Sequence, residues 1–227
     1  METVLITGAS RGIGLELTRQ FLQQGYQVIA TYRNQPSDAL SELATNQQLV
    51  LKELEVTDQS AIKALSAQLA GQTIDILINN AGTIGADDQS LEGIEASAWL
   101  DAFAINSIAP LMVTRALLSQ IEQSENPRII TISSQMGSMQ RDSVGMYAYR
   151  SSKAAVNKVV TVLANELKAK GVVACVVHPG WVKTDMGGEN ADITAQESAT
   201  GLLALAQKLS LNDTGRFFTW QGDEHPW

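Results

Sequence analysis

Short apolar runs alternate along this chain with longer stretches in which apolar residues recur at helical spacing. The runs are mostly Val, Ile and Leu and predict strands at 4–7, 28–32, 49–54, 74–79, 128–133, 172–178 and 215–220. The longer stretches predict helices at 12–24, 38–44, 58–70, 97–122, 149–170 and 195–209. Gly25 stands where the first helix should end, and Asp58 stands as the N-cap of the third.

The apolar runs are nearly continuous rather than alternating, which is typical of strands whose two faces are both covered by helices. Strands and helices alternate along the whole sequence, so right-handed crossovers would build one doubly wound parallel sheet. We therefore predict an α/β fold of the Rossmann type, with helices on both faces. A length of 227 residues predicts a single domain spanning 1–227.

Composition and charge narrow the range of functions. A net charge of −8 argues against nucleic acid as a partner, because such binding needs a basic face. The single cysteine, Cys175, lies in an apolar run and is expected to be a buried thiol, while His178 and His225 are too few and too far apart for a metal site. We find neither the pattern of a signal peptide nor a run of about 18 apolar residues, and expect a cytoplasmic protein without a membrane span.

A glycine-rich turn joins the first predicted strand to the first predicted helix, where ligands of such sheets bind. Gly8 permits a tight turn, Gly12 lets backbone amides approach a pyrophosphate, and Gly14 permits close helix–strand packing. The G-x3-G-x-G spacing differs from the general G-x-G-x-x-G fingerprint, and a plain tight connection is the alternative. The predicted dinucleotide contacts in this turn are Gly8, Ser10, Arg11, Gly12, Ile13 and Gly14.

The end of the second predicted strand indicates which dinucleotide would bind. NAD sites usually offer a carboxylate there for the ribose 2′-hydroxyl, whereas a basic residue accommodates the 2′-phosphate of NADP. Arg33 stands at that position, no acid follows before Asp38, and Arg11 could reach the same phosphate. Each arginine alone could be a solvated surface residue, but the two guanidiniums together favour NADP(H).

Ser134, Tyr149 and Lys153 form a candidate proton-transfer set. Lys153 lies one helical turn after Tyr149 on the same face, and Ser134 directly follows the fifth predicted strand. An ammonium at about 4 Å would supply roughly 4 kcal/mol toward the phenolate, enough to bring a tyrosine pKa of about 10 close to neutrality. Ser134 could then hydrogen-bond a carbonyl oxygen as charge develops on it. Tyr147 and Ser133 are the competing assignments.

Taken together these motifs resemble those of the short-chain dehydrogenase/reductase family, over nearly the whole chain. Within the family, the strings 147–153 and 179–188 are similar to the carbonyl-reductase branch that includes C-factor and Sniffer. In that branch the second tyrosine of the pair is the catalytic one, which agrees with the choice of Tyr149. The motifs that carry the resemblance are Thr7-Gly8-x-x-x-Gly12-Ile13-Gly14, Asn79-Asn80-Ala81-Gly82, Asn106, Ser134, Tyr149, Lys153 and Pro179-Gly180.

The resemblance implies further roles at matching positions. Asn106 would hold a water in a proton relay through Lys153, and Ile13 would offer a backbone contact. Glu55 and Val56 stand where many members carry an acid for the adenine amine, and the longer side chain of Glu55 departs from that pattern. The other cofactor contacts implied by the family are Asn80, Ala81 and Gly82 on the adenosine side, and Pro179, Gly180, Val182 and Thr184 on the nicotinamide side.

The resemblance implies reduction of a ketone, aldehyde or quinone carbonyl with NADPH, on a small-molecule substrate bound by the C-terminal half of the chain. It also implies a homodimer or homotetramer formed through the helices at 97–122 and 149–170. Two alternatives stay open. One is a cofactor-binding cell-signalling protein of the C-factor kind with incidental redox activity, and the other is alcohol oxidation with NAD.

Overall fold

A computed structural model describes residues 1–227. Its strands are β1 (Thr3–Ile6), β2 (Gln27–Tyr32), β3 (Leu49–Glu53), β4 (Ile76–Asn79), β5 (Arg128–Ile132), β6 (Val173–His178), β7 (Val182–Lys183), β8 (Ile193–Thr194) and β9 (Phe217–Thr219). Its α-helices are α1 (Gly12–Gln23), α2 (Asp38–Leu43), α3 (Gln59–Gln68), α4 (Ala96–Phe103), α5 (Ala109–Ile121), α6 (Tyr147–Leu167) and α7 (Ala195–Lys208).

Seven strands form one parallel sheet in the order β3-β2-β1-β4-β5-β6-β9. From β1 the chain first moves outward through β2 to β3 and then returns to place β4 on the other side of β1. The carboxyl ends of β1 and β4 therefore flank the point where strand order reverses. The predicted doubly wound Rossmann-type sheet is confirmed.

Apolar side chains pack on both faces of the sheet, as the continuous apolar runs predict. On one face Val4 and Ile6 pack with Leu17 of α1 and Leu202 of α7. On the other face, residues such as Leu5 pack with side chains of α3, α5 and α6. Because successive residues of a strand point to opposite faces, one strand contributes side chains to both cores.

Local signals at the helix ends also hold. Asp58 accepts hydrogen bonds from the amides of Ser60 and Ala61 at the start of α3, as an N-cap should. Gly25 follows α1 with φ of 82°, a conformation that glycine adopts without strain. Thr194 and Glu197 form a capping box at the start of α7.

The predicted helix at 97–122 is not continuous. A π-helical segment, Ala104–Ile108, separates α4 from α5 and contains Asn106. π-helical turns are rare and concentrate at functional sites, and no sequence periodicity marks them. The second long helix, α6, begins at Tyr147 rather than at Tyr149, so both tyrosines lie in its first turn.

The run 96–121 is long and apolar enough to cross a membrane, judged by length and composition alone. A core helix of a globular domain passes the same test. Here Val113, Leu117 and Ile121 of α5 are buried in the core on the face of the sheet covered by α3, α5 and α6. The helices of this run therefore form part of the core of this fold.

Between β6 and α7 the chain builds a small structure that the sequence did not reveal. β7 and β8 pair in parallel as a separate two-stranded sheet. The indole of Trp181 donates a hydrogen bond to the carbonyl of Gly187, which closes the segment between them. Strands of two residues carry too little periodicity to be predicted.

Arg128, at the start of β5, holds distant parts of the fold together. Its side chain is 2% exposed and donates to the carbonyls of Asn126 and Ala206, both at 3.0 Å, and to the carboxylate of Glu2. A buried guanidinium with all these partners is costly to disrupt, because the remaining groups lose their hydrogen bonds.

We expect Arg128→Ala to lower the free energy of unfolding by roughly 3 kcal/mol, as measured by urea denaturation. Lys170→Ala is the control, because the Lys170–Glu122 pair at 2.7 Å is partly solvent-exposed and should contribute less than about 1 kcal/mol. Equal losses in the two variants would contradict the role given to Arg128.

Candidate active site

Two polar side chains tie the ends of β1 and β4 together where strand order reverses. The hydroxyl of Thr7 accepts hydrogen bonds from the backbone amides of Asn80 and Ala81, both at 3.0 Å. The side-chain amide of Asn80 donates in return to the carbonyls of Thr7 at 2.9 Å and Gly8 at 3.0 Å. This reciprocal pairing fixes the glycine turn against the 80–82 turn.

A cleft of about 490 Å³ opens beside these turns at the carboxyl edge of the sheet. Most of the predicted site residues line it. They are Gly8, Ser10, Arg11, Gly12, Ile13, Arg33, Glu55, Val56, Asn80, Ala81, Gly82, Tyr149, Lys153, Pro179 and Thr184. The predicted residues that do not line it are Gly14, Asn106, Ser134, Gly180 and Val182.

The glycine turn is tight in the way its sequence predicts. Gly8 has φ of 67°, and a β-carbon there would lie 2.9 Å from the α-carbon of Ala81. Gly12 has φ of 53° and faces the methyl group of Thr184 across the cleft. A β-carbon on Gly14 would lie 2.4 Å from the carbonyl oxygen of Gly8, so this glycine permits the turn to fold on itself rather than lining the cleft.

The turn also presents hydrogen-bond donors. The hydroxyl of Ser10 is buried, lines the cleft and has no hydrogen-bond partner. α1 begins here without a side-chain cap, so the first amides of the helix lack a local side-chain acceptor. Together with the helix dipole, these groups form a cradle suited to an anion such as a phosphate.

Both predicted arginines stand at the mouth of the cleft, and each pairs with a carboxylate. Arg11 contacts Asp185 at 2.9 Å, and Arg33 lies 3.8 Å from Glu55. All four side chains are substantially exposed, so these ion pairs exchange readily with water or an anion. Glu55 also accepts hydrogen bonds from the amide and hydroxyl of Thr57, which orients its carboxylate.

Ser134, Tyr149 and Lys153 converge as predicted. The Ser134 side chain lies close enough to the Tyr149 hydroxyl to lower its pKa, and Lys153 stands over the Tyr149 ring with its ammonium 5.8 Å from the ring centre. Of the two competitors, Ser133 also lines the cleft and Tyr147 does not. Tyr147 is 39% exposed and lies beside Trp99, while the hydroxyl of Ser133 bonds Asn157 at 2.5 Å. The geometry favours Tyr149 and Ser134.

The predicted acidification of Tyr149 by Lys153 is wrong for this structure. The ammonium donates its hydrogen bond to the carbonyl of Ile132 at 2.9 Å. Burial raises the pKa of Tyr149 above its ordinary value, and the nearby Ser134 side chain lowers it by less. Burial also lowers the pKa of Lys153 to about 8. Desolvation therefore outweighs attraction between the two groups.

Asn106 lies behind the cleft wall. Its side-chain oxygen accepts from the amide of Thr83 at 2.9 Å, and its nitrogen donates to the carbonyl of Thr83 at 2.8 Å and to the hydroxyl of Ser152 at 3.0 Å. The side chain is 1% exposed and its hydrogen bonds are used within the protein. Its amide therefore holds the 82–83 segment in place, and the predicted water relay through Asn106 stays a prediction.

The predicted nicotinamide-side residues divide into two groups. Pro179 and Thr184 line the cleft. Gly180 and Val182 support it instead: a β-carbon on Gly180 would lie 2.4 Å from the Ile193 side chain, and Val182 is 4% exposed in β7. Gly180 thus permits the close approach of β8.

Several lining residues were not predicted from the sequence: Tyr32, Gln35, Leu54, Thr83, Ile105, Ile132, Asp185 and Met186. A signal existed for three of them. Tyr32, Leu54 and Ile132 stand at or just after the carboxyl ends of β2, β3 and β5, where ligands of such sheets bind. Ile105 lies in the π-helical segment, and the others lie in loops; the sequence pattern determines the course of neither.

Comparisons with known proteins agree with this geometry. A family model described as short chain dehydrogenase matches residues 2–195. The C-signal protein of Myxococcus xanthus is 38% identical over 167 residues, which is 73% of this chain and 100% of that protein.

Solved structures are similar over the entire chain. The NADPH-bound carbonyl reductase from chicken fatty liver superposes with a TM-score of 0.92 at 34% identity, covering 100% of this chain and 99% of that one. Carbonyl reductase Sniffer of D. melanogaster superposes with a TM-score of 0.94 at 30% identity, covering 100% of both. The chain therefore belongs to the short-chain dehydrogenase family of oxidoreductases.

Proposed function

We propose that this protein reduces the carbonyl group of a ketone, aldehyde or quinone with NADPH, and that Tyr149 is the proton donor. The observation that carries the proposal is the meeting of Tyr149, Ser134 and Lys153 beside the same cleft as the glycine turn. The likeness to the NADPH-bound carbonyl reductase from chicken fatty liver supports it.

The residues of the cleft fit a dinucleotide phosphate cofactor. The partnerless Ser10 hydroxyl and the first amides of α1 suit its pyrophosphate, and Arg33 and Arg11 suit a 2′-phosphate. The volume of about 490 Å³ lies within the range of roughly 300–1,000 Å³ typical of ligand pockets. When bound, such a cofactor supplies a hydride to the carbonyl carbon.

The chain's own residues would handle the proton and the charge. Tyr149 would give its hydroxyl proton to the carbonyl oxygen as negative charge develops there. Ser134, whose side chain lies close enough to Tyr149 to lower its pKa, would orient that oxygen. Lys153, a 5% exposed residue that lines the same cleft, would bind ribose hydroxyls and keep a positive charge near the reacting atoms.

The raised pKa of Tyr149 favours the reductive direction. A proton donor must be protonated before the reaction, and a buried phenol with a raised pKa stays protonated at neutral pH. Oxidation of an alcohol would need the phenolate, which the same burial disfavours. The raised pKa of Tyr149 and the two arginines therefore disfavour the alternative of alcohol oxidation with NAD.

We also propose a homo-oligomer formed through α4, α5 and α6. Leu100, Ile108 and Val162, on or between these helices, are 71%, 53% and 45% exposed. Large apolar side chains that are exposed to solvent are typical of an association surface when they lie together. The expected cytoplasmic location stays a prediction.

A second candidate function is a signalling protein whose redox chemistry is incidental, supported by the 38% identity with C-signal. The intact proton-transfer set favours catalysis over this reading. Tight NADPH binding, no turnover of any carbonyl compound and a cellular phenotype that survives Tyr149→Phe would favour the signalling candidate.

We expect Tyr149→Phe to lower kcat for carbonyl reduction by roughly a hundredfold or more, because it removes the proton donor. NADPH oxidation with a panel of ketones, aldehydes and quinones measures this. Tyr147→Phe is the matched control and should keep wild-type kcat, since Tyr147 does not line the cleft. Full turnover by Tyr149→Phe would show that the assigned acid is wrong.

We expect Arg33→Ala to raise the Kd for NADPH by about tenfold to a hundredfold, because one charged hydrogen bond is lost. The Kd for NADH should stay nearly unchanged. Fluorescence titration with both cofactors measures it. Arg115→Ala is the control, because Arg115 is exposed on α5 away from the cleft. Tighter binding of NADH than of NADPH by the wild type would contradict the assignment of NADPH as the cofactor.

The pH dependence of reduction should follow Lys153 rather than Tyr149. Because the pKa of Lys153 is lowered to about 8, its ammonium is present below that pH and is lost above it. Tyr149, whose pKa is raised, stays protonated over the same range. We expect kcat/KM to be level near neutral pH and to fall above about 8; a profile still level at high alkaline pH would contradict this.

A further inference from the structure

We propose that Gln89 is a positioning residue that holds the catalytic turn of α6 by its side-chain amide, acting from a loop 60 residues away in sequence. The inference rests on the proposed function, because it concerns the placement of Tyr149. It adds a residue that neither the motifs nor the cleft lining identifies.

α6 begins without a cap of its own. The residue before it, Met146, has φ of 56° and ψ of 38° and makes no side-chain hydrogen bond to the helix. The first amides of a helix have no partner within the helix and need an acceptor from elsewhere. In most helices a serine, threonine, aspartate or asparagine at the N-cap supplies one.

Gln89 supplies the missing acceptor. Its side-chain oxygen accepts a hydrogen bond from the backbone amide of Tyr149 at 2.9 Å. Its side-chain nitrogen donates to the carbonyls of Ile84 at 2.7 Å and Ala86 at 2.9 Å. The side chain is 4% exposed, and the two carbonyls leave only one orientation in which its oxygen faces the helix.

A second chain of hydrogen bonds reaches Tyr149 from the other end of the same loop. Thr83 is held by Asn106, whose nitrogen also donates to the Ser152 hydroxyl at 3.0 Å. Ser152 in turn donates to the carbonyl of Tyr149 at 2.8 Å. The loop 83–89 is thus anchored to both the amide and the carbonyl of the residue that carries the proposed acid.

The chemistry of an amide suits this position better than that of a carboxylate. A carboxylate would also accept from the helix, but it would put a negative charge beside Tyr149 and raise the pKa of the phenol further. It would also face the carbonyls of Ile84 and Ala86 without a proton to donate. A neutral side chain with one acceptor and two donors satisfies all three partners.

Two variants test the clamp, Gln89→Leu and Gln89→Met, which keep the size of the side chain and remove its hydrogen bonds. We expect faster amide hydrogen exchange in the 147–152 segment of both variants, with the rest of α6 unchanged. We also expect kcat for carbonyl reduction to fall by about tenfold or more, because a displacement near 1 Å can cost roughly a hundredfold in rate. The Kd for NADPH should stay within about twofold, since Gln89 does not touch the glycine turn.

Gln120→Leu is the matched control. Gln120 is a buried glutamine on α5 whose amide bonds Ser66 and Ser119, away from the cleft. We expect it to lower Tm while leaving both exchange in the 147–152 segment and kcat unchanged. The positioning role is overturned if exchange or kcat in the two Gln89 variants matches the wild type, or if Gln120→Leu lowers kcat equally.

The proposed acid and the positioning role of Gln89 can be tested separately. If Tyr149→Phe keeps full turnover, the proposed acid is wrong, and hydrogen exchange still decides whether Gln89 holds the turn. If Tyr149→Phe is inactive while the Gln89 variants keep wild-type kcat, the proposed function stands and the positioning role falls.

Discussion

The site depends on the pairing of Thr7 with Asn80 at the point where the sheet reverses its strand order. Parallel strands end at a common edge, but nothing in a sheet ladder holds the loops beyond that edge together. Here one hydroxyl accepts from two amides and one side-chain amide donates to two carbonyls. The glycine turn can stay open to a ligand because its outer side is already satisfied by the neighbouring strand's turn.

Burial shifts the pKa values of Tyr149 and Lys153, the proposed catalytic groups, more strongly than their mutual attraction does. A charge-pair estimate that uses a uniform dielectric expects Lys153 to acidify Tyr149. In the structure both groups are largely removed from water, the pKa of the phenol rises and that of the ammonium falls. Burial pushes each group toward its neutral form, which suits the role of proton donor proposed for Tyr149.

The sequence predicted those features that follow from local periodicity and from motif order. Continuous apolar runs such as that of β6 predicted the buried parallel sheet. Gly8 and Gly12 predicted the tight turn, and both adopt positive φ in the structure. The sequence could not predict contacts between residues that are distant along the chain. The contact between Arg33 and Glu55 depends on how the ends of β2 and β3 lie side by side. The spacing of the two residues along the chain does not determine the distance between their side chains.

Irregular backbone beside the site is stabilised by side-chain amides rather than by regular hydrogen bonding. The π-helical segment interrupts a run that would otherwise be a single helix, and π-helical turns are seldom retained without a function. Asn106 lies inside that segment and bonds the loop at Thr83 and the helix at Ser152. Straightening the helix would rotate this buried amide away from three partners, which would then be unsatisfied, and each such loss costs about 1–3 kcal/mol. The irregular turn therefore persists because it is the conformation in which the loop, the π-helical segment and α6 are all hydrogen-bonded at once.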